Sequence, residues 1–270
     1  MNADSTTLQA PPPLSPGLDA LLDRVAERQR ADFGHMASDL KADGSLITAC
    51  DRWSDATLVE GLAQLYPGEG VLSEEGDKTL PGSDAYWVVD PLDGTTNFAA
   101  GIPYWAISLA RFEGGVPVLA VLDVPPLRQR IVAIRGQGAW RNGHLLHPPA
   151  GQSHPAGCAS LCSRSIGVLQ KLPNQRFPGK IRLLGVASLN LVSVAMGQTV
   201  SALEATPKIW DLAAAWLVLS ELDCPIRWLV RSPEAIAAGS DLSTADFPVL
   251  AADRPETLAR FMPWAEALVA

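Results

Sequence analysis

The chain has 270 residues, enough for one large domain or two closely packed halves, and long enough to bury a core without disulfide staples. With 21 Lys and Arg against 29 Asp and Glu its formal net charge is −8, which argues against nucleic acid or an anionic membrane as partner. No uninterrupted apolar run approaches the roughly eighteen residues of a membrane span, and the opening MNADSTTLQAPPPLSPG has neither the basic start nor the apolar run of a signal peptide, so a soluble cytoplasmic protein is expected.

Residues 1–16 read as a flexible Pro-rich tail. Leu18, Leu21, Leu22 and Val25 then follow helical spacing, and the amphipathic pattern predicts a helix running toward Leu40. The turn chemistry of Lys41-Ala42-Asp43-Gly44-Ser45 ends it. A second helix is expected from near Ser54 to just before Tyr66-Pro67-Gly68. Short β-rich runs follow at Trp87–Val89, Ala106–Phe112, Val116–Val121 and Arg130–Ile134, with Gly114-Gly115 as a hairpin signal between two of them. The Pro/Gly-rich stretch from His147 to Gly157 is the best internal boundary, dividing an N-terminal half (17–150) from a C-terminal half (151–270) that completes a cleft. Beyond it, strands are expected at Ile181–Leu184, Val200–Glu204, Ile226–Val230 and Pro248–Ala251. Helices are expected at Ser188–Met196, Asp211–Leu222 and Pro255–Val269. The four cysteines are too scattered for a disulfide scaffold or a zinc clip, and three of the four histidines fall in the His144–Gly157 connection.

The chemistry lies in acids. In Trp87-Val88-Val89-Asp90-Pro91-Leu92-Asp93-Gly94-Thr95-Thr96-Asn97-Phe98 an apolar strand ends on one carboxylate and a second follows three residues later. Two carboxylates that close repel each other unless a divalent cation lies between them. Asp93-Gly94-Thr95-Thr96-Asn97 then reads as a turn opening a helix, whose free N–H groups suit a phosphate, and Gly94 lets the backbone approach closely. Hard-cation ligands followed by an anion-binding helix start suit metal-assisted phosphoryl chemistry. Taken alone, Asp93-Gly94 also reads as a plain hairpin turn and Asp211 as an ordinary helix N-cap.

The chain resembles the inositol monophosphatase family, within the wider fructose-bisphosphatase-like superfamily. The resemblance rests on DGSLITACD (Asp43–Asp51), SEEG (Ser73–Gly76), DPLDGTTNF (Asp90–Phe98) and Trp210-Asp211 in that order. GIPYWAISLA (Gly101–Ala110) and GQGAWRNG (Gly136–Gly143) add to it, and it spans roughly residues 18 to 265. It implies an α+β, layered α/β/α/β/α sandwich and a Mg²⁺-dependent, lithium-sensitive phosphomonoesterase, a homodimer acting on a small phosphorylated metabolite. Two to three Mg²⁺ ions are implied: one held by Glu74, Asp90 and the Leu92 carbonyl, and one by Asp90, Asp93 and Asp211. A third, weaker ion would sit near Glu74. Thr95, oriented by Asp51, acts with Glu74 on a metal-activated water that attacks phosphorus in line. On the same resemblance the N–H groups of Gly94 and Thr95 would hold the phosphate, Gly185-Val186-Ala187 with Glu204 would contact substrate hydroxyls, and Asp93 and Asp211 would also bind substrate. A bare surface charge at a strand end is the alternative for Glu204. Inositol monophosphate is the first substrate expected, with histidinol phosphate and fructose 1,6-bisphosphate as rivals and a non-catalytic binding relative as the rival of another class. The chain departs from the family pattern in two places. Gln129 stands where a glutamate is common, and Glu221 is followed by Leu222-Asp223-Cys224-Pro225 where a glycine pair is usual. Trp216, Trp228 and Trp264 are expected to serve packing.

Overall fold

The computed structural model describes residues 14–35, 38–41, 44, 46–149 and 157–270; the expected tail up to residue 13 and most of the His147–Gly157 boundary lie outside them. Helix α1 (Pro16–Asp32) starts where Ser15 accepts the Leu18 N–H, with Pro16 at the first helical position, so residues 14–16 belong to the fold rather than to a tail. It ends eight residues before Leu40. Gly34, at φ 76°, takes a left-handed turn, and Leu40 falls instead in the short hairpin β1 (Ser38–Leu40) and β2 (Leu46–Thr48). Helix α2 (Ala49–Leu65) begins five residues earlier than expected, because Thr48 and Asp51 form a capping box.

A seven-stranded sheet follows: β3 (Gly70–Ser73), β4 (Ala85–Asp93), then, after the short helix α3 (Thr95–Ala99), β5 (Ala106–Glu113), β6 (Val116–Val124), β7 (Gln129–Ile134), β8 (Gly138–Arg141) and β9 (His144–Leu145). β3 is parallel to β4 and every later pair is antiparallel. The rest of the chain builds a mixed five-stranded sheet in the order β11-β10-β12-β14-β13. Its elements are β10 (Cys158–Leu161), α4 (Val168–Lys171), β11 (Lys180–Arg182), α5 (Ala187–Ala195), β12 (Ser201–Glu204), α6 (Ile209–Glu221), β13 (Ile226–Trp228), β14 (Val249–Ala252) and α7 (Pro255–Val269). Two expected strands are shorter than their apolar runs. β11 stops at Arg182, leaving Leu183 and Leu184 exposed, and β13 stops at Trp228 before the exposed Val230.

Strand alternation assigns the layers. Trp87 and Val89 of β4 pack with Leu18, Leu22 and Val25 of α1 and Leu58 and Leu62 of α2. Val88 between them points the other way, into a core with Val192 of α5 and Leu212 and Val218 of α6. Ala202, Val249 and Ala251 of the second sheet close that core, whereas Leu203 and Leu250 face outward onto Phe261 and Trp264 of α7. The result is helix, sheet, helix, sheet, helix, with α5 and α6 buried between the sheets. Trp216 and Trp228 meet edge to face, centroids 5.6 Å apart, and Trp264 is buried, so all three serve packing. Among the described residues no helix is long and apolar enough to cross a membrane.

Candidate active site

The site is organised by an irregularity in β4. Along a regular strand, residues 90 and 93 would face opposite sides. Here Asp90 pairs with Ser108 and Asp93 with Ala106, three steps against two, so a bulge falls within Asp90-Pro91-Leu92-Asp93 and turns both acids inward. Pro91 has no N–H to offer the ladder, which makes it suited to that place. Gln29 of α1, itself fully buried, fixes the bulge from behind: its Nε2 donates to the Pro91 carbonyl at 2.7 Å and its Oε1 accepts Trp105 Nε1–H at 3.0 Å. Asp90 Oδ1 accepts the Leu92 N–H at 2.9 Å, while Oδ2 is buried with no partner.

β3 and α6 bring the other acids. Parallel pairing lays β3 along β4, and the Glu74 N–H donates to the Val89 carbonyl, which sets Glu74 beside Asp90. Asp211, in the first turn of α6, accepts the Lys208 N–H at 2.8 Å and projects into the same space. Glu74, Asp90 and Asp211 each offer an oxygen within 4.8 Å of the others. Asp93 stands outside this tight group, its Oδ2 accepting the Ser188 N–H at 2.8 Å. Burial, then the neighbouring carboxylates, pushes Asp90 and Asp211 well above the usual carboxylate range, and burial takes Asp93 to about 6. An orphaned buried oxygen and several raised carboxylates fit a hard, oxygen-liganded cation such as Mg²⁺, and among the described residues no thiol or imidazole joins this group.

One cation already touches the cluster. Lys41 Nζ lies 2.8 Å from Glu74 and 2.5 Å from Glu75, and burial with Glu74 nearby takes Glu75 to about 7. Nothing in the Lys41–Ser45 turn signals this role.

Thr95 is placed by Gly94, whose φ of 106° opens α3 and whose added Cβ would meet Val186 at 2.8 Å. The Thr95 hydroxyl lies 2.7 Å from Asp51 Oδ1 and 3.1 Å from the Leu92 carbonyl, its two acceptors. Asp51 Oδ2 is taken up by the Thr48 N–H at 2.8 Å and the Thr48 hydroxyl. The capping box that starts α2 therefore also aims Thr95.

A cavity of about 220 Å³ adjoins this group, lined by Asp93, Asp211, Gly185, Val186, Ala187 and Glu204. The structure thus brings together the residues expected to hold metal and substrate. Glu204, at the end of β12, is 2% exposed, which overturns the surface-charge alternative. Its Oε1 accepts from Asn190 Nδ2 at 2.8 Å, and burial lifts its carboxyl to about 8. Gly185, at φ 76°, lets the chain pass Asn97, whose Nδ2 donates to the Leu184 and Tyr104 carbonyls. Asn190, Arg164, Cys162 and Thr206 also line the cavity and were not anticipated. Asn190 sits three residues after Ala187, on the apolar helix α5, where an amide reads as an ordinary helix residue. Gln129 is not among the lining residues.

A model of the inositol monophosphatase family matches residues 19–240. The chain is 34% identical over 218 residues to a histidinol-phosphatase of Mycobacterium tuberculosis, covering 75% of this chain and 82% of that one. It is 29% identical over 205 residues to a fructose-1,6-bisphosphatase/inositol-1-monophosphatase of Thermotoga maritima (74% and 79%). It is 32% identical over 193 residues to the Nus factor SuhB of Escherichia coli (67% and 71%). Among solved structures, an IMPase of Thermotoga maritima superposes with a TM-score of 0.77 at 25% identity, over 93% of this chain and 96% of that one. An IMPase/NADP phosphatase complexed with Mg²⁺ and phosphate gives 0.75 at 24% identity (90% and 92%), which shows the same fold.

Proposed function

The chain belongs to the inositol monophosphatase family of Mg²⁺-dependent phosphomonoester hydrolases, and from that premise we propose that it hydrolyses the phosphomonoester of a small alcohol, a polyol, a sugar or an amino alcohol. The observation that carries this reading is the cluster of acids whose Asp93 and Asp211 line the 220 Å³ cavity, below the about 300–1,000 Å³ of drug-sized pockets. Glu74, Asp90, Asp93, Asp211 and the Leu92 carbonyl are the ligands for the ions. When bound, Mg²⁺ supplies charge neutralisation and Lewis-acid polarisation.

The residues do the rest. The single Thr95 proton is committed to Asp51 or the Leu92 carbonyl, so the hydroxyl oxygen faces an incoming water as an acceptor. Glu74, half-buried in the acid cluster, is the base that takes the water's proton. Ser188 ties one oxygen of Asp93 and leaves the other for an ion. The N–H groups of Gly94 and Thr95, presented by a left-handed turn, hold phosphoryl oxygens. Gly185–Ala187 and Glu204 receive the alcohol.

A non-catalytic relative is the rival reading, raised by the resemblance to the Nus factor SuhB of Escherichia coli. Every acid of the proposed machinery and Thr95 are in place, which favours the enzyme. The test is phosphate release from a panel of small phosphomonoesters in millimolar Mg²⁺ and in EDTA. Turnover that EDTA abolishes is expected; a folded protein inert toward the whole panel overturns the proposal.

A further inference from the structure

The wall of the cavity away from the metal acids holds two buried acceptors, the Glu204 carboxyl and the Asn190 carbonyl oxygen. Glu204 is buried there with two neutral neighbours, Asn190 Nδ2 at 2.8 Å and the thiol of Cys162, a weak donor. Asn190 is fully buried, and its Oδ1 has no hydrogen-bond partner. With Nδ2 given to Glu204 Oε1, the carbonyl oxygen is the unused atom. Among the described lining residues the one cation is Arg164, exposed at the rim, with Nη1 donating to Thr206 Oγ1 at 2.7 Å. Asp93 and Asp211 belong to the acids that ions would answer, whereas Glu204 has only Asn190 and Cys162 beside it.

We infer that the preferred substrate carries a protonated amine on its alcohol part, seated between the Glu204 carboxylate and Asn190 Oδ1, and that Asn190 is a specificity-determining residue. This rests on the phosphatase reading of the cavity. Among the described residues the fold supplies Glu204 with no counter-cation, so its buried carboxyl keeps a proton at pH 7 while the cavity is empty, and an arriving ammonium is the group that draws it into the charged form. One hydroxyl has a single proton and cannot serve both acceptors, whereas an ammonium has three and brings the missing charge. A second phosphate is disfavoured between the same two groups, because it would meet the Glu204 carboxyl and the Asn190 carbonyl oxygen.

The test uses a matched pair, glycerol 1-phosphate and 2-amino-3-hydroxypropyl phosphate, which differ by one hydroxyl replaced with an ammonium. p-Nitrophenyl phosphate is run beside them on the Mg²⁺-loaded protein at pH 7. The expected result is a kcat/KM at least tenfold higher for the amine, carried by KM. That ratio should fall to near one in Asn190→Leu and in the near-isosteric Glu204→Gln. A wild-type ratio of one or less, use of p-nitrophenyl phosphate but of neither ester, or a ratio unchanged in a folded Glu204→Gln overturns the inference and leaves the phosphatase reading standing. Inertness toward all three overturns that reading and the inference with it.

Discussion

Helix α6 carries a carboxylate at each end, and the fold treats them in opposite ways. Glu221, in the last turn, faces the negative end of the helix, yet its two oxygens accept the Gly136 and Gly138 N–H groups, each at 2.8 Å. Asp211, in the first turn, has the favourable helix end but accepts a single backbone N–H and otherwise meets Asp90, Asp93 and Glu74. An acid whose acceptor capacity the fold fills is structural. An acid crowded with other acids stays charged only when a cation joins it, and the fold retains that tension where chemistry is done.

The largest expected effect breaks the crowded end. Asp93→Asn keeps an oxygen for the Ser188 N–H while removing a charge that would face the ion. Mg²⁺-dependent turnover should fall by about a thousandfold or more, about 4 kcal/mol of transition-state stabilisation, with the melting temperature preserved. Most of the activity surviving at saturating Mg²⁺ would remove Asp93 from the metal set.

The next effect is on stability. Asp90, Asp93 and Asp211 hold protons in the folded state at pH values where the unfolded chain has released them. Metal-free stability should therefore fall as pH rises from about 4, the unfolded carboxylate value, through the Asp93 value of about 6. Glu204 extends the decline toward about 8. Mg²⁺ at a hundredfold excess over its dissociation constant adds about 2.7 kcal/mol, roughly 5–10 °C for a chain of this size. The shift should be larger at pH 8 than at pH 5, because ions and protons compete for the same oxygens. Melting curves with Mg²⁺ and with EDTA at the two pH values measure it; equal shifts would mean that the acids are not the ligands.

Much of the crowded end was legible because it is local. Asp90-Pro91-Leu92-Asp93-Gly94-Thr95 packs two acids, the bulge and the helix start into six residues, and β3 supplies Glu74 through simple parallel pairing. The paired features were harder to read because their partners are distant. Gln29 looks like one more residue on a helix face, and only folding sets it against Pro91, 62 positions on. Asn190 meets Glu204 across α5 and β12. Glu221 was noticed for the glycines that do not follow it, while its two backbone donors lie more than 80 residues away. The early start of α2 is a different case, since its signal, the Thr48–Asp51 capping box, is local and lies in the sequence itself.

The satisfied end of α6 should respond in the opposite sense to the crowded one. Glu221→Ala removes two charge-assisted bonds at a partly exposed turn, a loss of about 2 kcal/mol after allowance for solvent. The melting temperature should drop by roughly 4–8 °C, and the Mg²⁺-induced shift should stay as in the parent chain. A diminished shift would mean that the β7–β8 turn and the metal site are coupled through α6.

The smallest effect sits two residues further on and isolates the backbone from the charges. Asp223 holds φ at 54°, the left-handed region that favours glycine. The position is needed because the chain must turn sharply after α6 for the Cys224 N–H to reach the Leu219 carbonyl at 2.9 Å. A left-handed residue with a Cβ costs about 1–2 kcal/mol, less for aspartate than for most. Glycine relieves this but adds freedom to the unfolded chain, a counter-effect of about 0.5–1 kcal/mol. The difference favours Asp223→Gly by about 0.5 kcal/mol, a rise of roughly 1–2 °C in melting temperature, with kcat/KM unchanged. A fall instead would show that the Asp223 side chain itself holds the turn, and that this end of α6 rests on a second carboxylate as well as on Glu221.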